Sequence, residues 1–194
     1  LAGASPHFIN TFPDNQFKLD YAQLPDSVWA RVQLMYVCSP NNPTGSVMTL
    51  SDWQELFALS DRHGFIVASD ECYSEIYSDE DNPPLGALDA AHQLGRTGFP
   101  RLVVFNSLSK RSNAPGLRSG FVAGDARLLE KFLLYRTYHG SAMSPVAQAA
   151  STAAWNDEAH VVENRRLYAE KFSQAIDVLS DVTAVQMPDA GFYL

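Results

Sequence analysis

The feature that most constrains this chain is an alternation. Short apolar runs at 32–38, 65–69, 101–106 and 117–123 are separated by longer stretches of helical periodicity. The runs are rich in Val, Ile, Leu and Phe and bounded by Gly, Pro or Asn, the pattern of strands buried on both faces. The spans between them carry helix signals. Thr49 with Asp52 reads as a capping box, followed by Trp53, Leu56, Phe57 and Leu59 at helical spacing and a stop at Gly64. Further helices are predicted over 125–136 and 144–155. Alternation of this kind folds as an α/β domain with a mainly parallel sheet and flanking helices.

The stretch 157–180 reads as a charged amphipathic helix, with Val161, Leu167, Phe172, Ile176 and Leu179 near one face and Arg165 and Arg166 on a solvated one. Beyond it, 182–186 and 191–194 read as strands around the turn Pro188-Asp189. This predicts a large domain over 1–156, incomplete at its N-terminus. A connecting helix and the start of a small, truncated α+β domain follow over 157–194. A start without Met and an apolar end at Gly191-Phe192-Tyr193-Leu194 fit a piece of a longer polypeptide.

A formal net charge of -8, with only 14 Lys and Arg, excludes a protein that grips nucleic-acid phosphates. Small molecules are the expected partners. Cys38 and Cys72 sit in apolar stretches without metal-ligand spacing, which points to a reducing, cytoplasmic compartment and to neither disulfide nor metal. No apolar run approaches the roughly 20 residues of a membrane span.

Polar residues gather where strands end. Lys110 follows the run 102–106, Asp70 follows 65–69 with Tyr73 just beyond, and Ser39-Pro40-Asn41-Asn42-Pro43-Thr44-Gly45 follows 32–38. Each has an ordinary explanation alone: a solvated lysine, a helix-capping carboxylate, a turn. Together, at the carboxyl ends of three parallel strands, they mark one crevice, the usual ligand position in open α/β sheets.

The same residues carry a resemblance. Asn42-Pro43-Thr44-Gly45, Asp70-Glu71-Cys72-Tyr73, and Ser107-Leu108-Ser109-Lys110 with Pro115-Gly116-Leu117-Arg118-Ser119-Gly120 are similar, in this order, to the three signatures of the class I/II aminotransferases. The resemblance implies the fold type I large domain of pyridoxal-phosphate (PLP) transferases. It also implies PLP as cofactor, bound as a Schiff base on Lys110. By the same likeness Asp70 pairs with the pyridine nitrogen, Asn42 and Tyr73 bond the phenolic oxygen, and Ser107 and Arg118 hold the phosphate. Lys110, Asp70 and Tyr73 are then the catalytic set. The amine of Lys110, once freed, moves a proton at the substrate Cα as base and then acid.

Several other stretches, Leu1 to Phe8, Tyr135 to Pro145 and Ala154 to His160, are most similar to bacterial succinyldiaminopimelate aminotransferases. That implies exchange between N-succinyl-2,6-diaminopimelate and 2-oxoglutarate in lysine and diaminopimelate biosynthesis. The resemblance places the arginine for the substrate carboxylate beyond Leu194 and part of the phosphate cup before Leu1. It also implies a homodimer. Another amino-acid aminotransferase, a PLP-dependent lyase of the same fold, or a non-enzymatic PLP-sensing regulator domain remain as alternatives. Cys72 reads as packing rather than nucleophile, Cys38 as core, and His139 as a loop hydrogen bonder.

Overall fold

The computed structural model describes residues 3–140 and 142–194, so Leu1, Ala2 and Ser141, all within the stretches just named, lie outside the described residues. The apolar runs form one sheet of four strands, β1 (Leu34–Cys38), β2 (Ile66–Asp70), β3 (Leu102–Ser107) and β4 (Gly120–Gly124), in that order across the sheet. Seven α-helical segments surround them: α1 (Asp26–Trp29), α2 (Leu50–His63), α3 (Ala87–Gln93), α4 (Leu108–Arg111), α5 (Ala126–His139), α6 (Pro145–Trp155) and α7 (Ala159–Leu179). Among the described residues no helix is long and apolar enough to cross a membrane.

Strands β1, β2 and β3 run parallel, with Cys38 opposite Asp70 and Asp70 opposite Phe105. Their carboxyl ends therefore share one edge, as the sequence predicts. The fourth strand differs from expectation in direction and start. It runs antiparallel to β3 and begins only at Gly120. Pro115–Leu117 form a 3-10 turn and Arg118 takes a left-handed conformation at φ 52°, which reverses the chain before it can extend.

The core lies on the face of the sheet that α2 and α3 cover. Val37, Val67, Leu102 and Val104 meet Trp53, Leu56 and Phe57 of α2 and Ala87, Ala90 and Ala91 of α3, with Phe65 and Trp29 filling one end. Helix α2 begins and ends as its sequence dictates. The Thr49 backbone N–H donates to Asp52 Oδ2 at 2.7 Å, Asp52 N–H returns to Thr49 Oγ1 at 3.3 Å, and Gly64 closes the helix at φ 80°. Helix α5 has no buried residue, and Phe132, Leu133, Leu134, Tyr135 and Tyr138 are exposed along with Tyr36 and Phe121.

Four further expectations are corrected. Residues 182–186 and 191–194 form no ladder; a single antiparallel bridge joins Tyr77 and Ala190, because the segment lies against loops rather than against a sheet edge. In α7 the packed stripe includes Val161, Arg165, Tyr168, Phe172 and Ile176, while Leu167 and Leu179 are exposed. Arg165 is not solvated: it is 7% exposed, lies over the Tyr77 ring, and bonds Glu75 at 2.9 Å and Glu80 at 2.8 Å. Its buried guanidinium is thereby satisfied by the half-buried Glu75 and the exposed Glu80 of the loop after β2. Arg166 meets Glu163 and Glu170 on the exposed face. His139 closes α5 against the ring of Tyr135 instead of lying in a loop.

Candidate active site

The edge formed by the ends of β1, β2 and β3 carries most of the chemistry-bearing side chains. The loop after β1 presents Asn42, whose amide donates to the Tyr73 hydroxyl at 3.1 Å. Tyr73 comes from the loop after β2 and is buried, and burial is the first cause that pushes its phenol well above the usual range, with the Tyr193 hydroxyl beside it as a further cause. A phenol so held is a proton donor and not a base. The ring of Tyr73 lies 5.9 Å from Lys110 Nζ, which α4 brings in directly after β3. Asn42, Tyr73 and Lys110, far apart in sequence, thus meet in space.

Asp70 ends β2 with its carboxylate exposed, where it accepts the Cys72 N–H at 3.1 Å. The Ser107 hydroxyl caps α4 and contacts Cys72 Sγ at 3.4 Å, tying the end of β3 to the Asp70 loop. Burial pushes the Cys72 thiol up to about 11, so the thiolate is scarce at neutral pH and the sulfur acts as packing, as its sequence context predicts. Cys38 is half-buried, with its thiol donating to Pro40 O. Arg118 is exposed, and its guanidinium turns back onto Pro115 O at 2.9 Å. Among the described residues its guanidinium forms no hydrogen bond with Asn42, Asp70, Tyr73, Ser107 or Lys110.

Other residues at the site have no local sequence signal. The segment 188–193 crosses the edge from α7: Ala190 N–H donates to Gly45 O at 3.1 Å and Gly191 N–H to Ile76 O at 2.7 Å. This places the Phe192 ring 4.6 Å from Lys110 Nζ and 5.2 Å from the Tyr73 ring. Glu71, beside Asp70, is 6% exposed and accepts the Ser69 hydroxyl at 2.9 Å and Ala87 N–H at 2.8 Å. Burial raises its pKa and those two bonds oppose the rise. It anchors the Asp70 loop to the start of α3.

An amine, a carboxylate, an amide–phenol pair and a hydroxyl converging at the carboxyl edge of a parallel sheet form a site for a polar, ring-bearing ligand. The family model "Aminotransferase class I and II" matches residues 1–194. The chain belongs to the class I and II aminotransferases. PLP is the cofactor of this family, and the α/β sheet described here is its PLP-binding fold.

Among aminotransferases of known structure, one from Neisseria meningitidis is 61% identical, with a TM-score of 0.86, over 91% of this chain and 44% of that chain. A probable N-succinyldiaminopimelate aminotransferase from Thermus thermophilus matches in fold, at 23% identity and a TM-score of 0.78 over 91% of this chain and 46% of that one. The LL-diaminopimelate aminotransferase of Maridesulfovibrio salexigens is 29% identical over 197 residues, covering 100% of this chain and 49% of that protein. The chain spans about half the length of the curated relatives it matches first.

Proposed function

We propose that, in a polypeptide of its relatives' length, this chain is the PLP-holding part of an aminotransferase, with Lys110 as the point of covalent attachment. The observation that carries this reading is the meeting of Lys110 with Tyr73 and Asn42, residues from the ends of three parallel strands. The donors suit the cofactor's chemistry: an amine for its aldehyde, the Asp70 carboxylate for its ring nitrogen, Asn42 and Tyr73 for its phenolic oxygen. Ser107 and Arg118 would suit its phosphate, as a neutral donor and a charge-assisted fork. Bound there, PLP supplies an electron-accepting ring conjugated to the reacting carbon.

The rest is work for this chain's own side chains. Asp70 would pair with the ring nitrogen and favour its protonated form, which would sustain the ring's electron demand. Tyr73 and Asn42 orient the ring by donating to its oxygen. Lys110, beside the rings of Tyr73 and Phe192, would take the proton from the substrate Cα and return it to the carbon on the other side of the substrate nitrogen. These two rings form an apolar wall beside the amine.

As amino donor and acceptor we propose glutamate and the 2-oxo acid precursor of N-succinyl-2,6-diaminopimelate. The local stretches near 135–145 and 154–160 and the likeness to an LL-diaminopimelate aminotransferase support this choice. An aspartate aminotransferase of Pyrococcus abyssi, 32% identical over 159 residues, keeps a different amino-acid substrate as the second reading. The connecting-helix role of α7, a cytoplasmic location and a homodimer belong to the same proposal. The exposed apolar side chains of α5 and β4 support burial of that face in the full assembly.

The test loads the full-length polypeptide with PLP and follows conversion of the cofactor to its amino form with a panel of donors, then its return with 2-oxo acids. Borohydride reduction and peptide mapping should label Lys110. Absence of any half-reaction, or label on Lys18, Lys131 or Lys171, would sink the proposal. Asp70→Ala should lower kcat by about a hundredfold or more, the scale of a lost electrostatic partner.

A further inference from the structure

We propose that His160 is a positioning residue for Lys110, acting through Ser112, and that the junction of α6 and α7 is the bed on which the Lys110 turn is set. The inference rests on Lys110 being the attachment point. Helix α4 holds only Leu108–Arg111, a single turn that cannot maintain itself. Three consecutive residues at its end find partners in the stretch 154–164. The Asn164 amide donates to Lys110 O at 3.3 Å. Arg111, 4% exposed, donates to Ala154 O at 2.8 Å, pairs with Glu158 and lies over the Trp155 ring at 4.9 Å. Ser112 Oγ lies 2.8 Å from His160 Nε2.

The His160 ring is itself fixed. Its Nδ1 lies 2.8 Å from Asp157 Oδ2, and Asp157 also accepts Ala159 N–H at 3.0 Å, which anchors it to the first turn of α7. With Nδ1–H donated to Asp157, Nε2 accepts the Ser112 hydroxyl proton; a doubly protonated ring donates to the same oxygen instead. The bridge survives either state because a hydroxyl serves as donor or acceptor. A lysine that moves a proton must be held to within a fraction of an ångström, and its four-carbon stem is flexible. Placement of its backbone is therefore the part the fold can fix, and His160 and Asn164 fix it from one helix face, a turn apart.

Asp157, His160 and Ser112 also have the connectivity of a hydrolytic triad. The Ser112 N–H, the donor that a serine nucleophile commonly turns on its own oxyanion, is spent on Leu108 O at 3.1 Å, so it is not available to stabilise acyl transfer. The geometry favours positioning.

The test uses the full-length polypeptide with Ser112→Ala, His160→Ala, His160→Gln and the Ser112→Ala/His160→Ala double variant. Each apo-protein is mixed with PLP, the rate of borohydride-trappable label on Lys110 is measured, and kcat and donor KM follow on the loaded protein. Each alanine variant should slow attachment about five- to tenfold, a hydrogen bond's worth. The double variant should be no slower than the worse single one, kcat should fall while donor KM holds, and His160→Gln should recover part of the rate. If His160 only caps α7, His160→Ala will lower the urea midpoint while Ser112→Ala changes nothing, and the proposal fails. Stoichiometric fluorophosphonate labelling of Ser112 would overturn it in favour of a hydrolytic site. Wild-type label on a lysine other than Lys110 would instead overturn the attachment reading beneath it.

Discussion

The Lys110 amine lies 4.6 Å from the centre of the Phe192 ring, and that ring is stacked in turn on Tyr168 of α7. A cation over an aromatic face gains about 0.5–1 kcal/mol or more where water is excluded. The ring also shields the amine sterically. Phe192→Ala should raise the rate at which acetic anhydride modifies Lys110 about three- to tenfold relative to the exposed Lys18 and Lys131, read by mass spectrometry of the cofactor-free protein. An unchanged ratio would show that Phe192 does not cover the amine in solution.

Much of this site was legible because each part follows a buried strand. Apolar runs fix where parallel strands end, and ligand-bearing side chains cluster there, so Asp70, Tyr73, Lys110 and the loop 39–45 could be named from order alone. Asn42 and Ser107 could be singled out by the resemblance of their motifs to the aminotransferase signatures. Phe192, Asn164 and His160 could not. They reach the site from α7 and the segment after it, through contacts such as His160 with Ser112 that leave no local pattern. Arg165 was misread for a related reason. Periodicity counts a guanidinium as polar, but a planar cation flanked by Glu75 and Glu80 can be buried as part of a packed stripe.

That misreading has a measurable consequence. Arg165→Met keeps most of the apolar stem but leaves Glu75 and Glu80 close together without their counter-ion. Glu80 is largely exposed, so water relieves part of the cost, and a loss of about 2 kcal/mol is expected rather than the larger penalty of a fully buried pair. Urea unfolding of Arg165→Met against wild type checks this, and Arg166→Met, on the exposed face, should change stability by less than about 0.5 kcal/mol.

Asp125 supplies a pH-dependent contribution. Its carboxylate caps α5 through Arg127 N–H, accepts Arg101 N–H at 2.9 Å and meets the Arg127 guanidinium, which is the first cause that lowers its pKa to about 2. The ionised form is favoured in the folded state. Its stabilisation is therefore complete above the ordinary carboxylate range and disappears as pH falls through about 2. Asp125→Ala should cost about 1–2 kcal/mol at pH 7, the value of a lost N-cap. The gap between the two urea midpoints should narrow as the pH is taken below about 4, where the unfolded carboxylate protonates. A constant gap would mean that the carboxylate's charge plays no part.

The crossing of segment 188–193 over the site depends on Gly45. This residue sits at φ 72°, and a Cβ there would lie 2.6 Å from both Ala190 O and Pro188 Cβ. Neither neighbour is the end of a flexible side chain, so the clash cannot be relieved by a rotamer change. Gly45→Ala adds the left-handed penalty of about 1 kcal/mol to that overlap. The cheaper response is local: the bond from Ala190 N–H to Gly45 O breaks and the segment lifts, taking Phe192 away from Lys110. Amide exchange at residues 190–193 should accelerate by at least about tenfold, while exchange in β1, β2 and β3 stays within about twofold of wild type. Acceleration spread evenly across the sheet would mean that Gly45 supports the whole domain and that the segment is not an independently opening part of it.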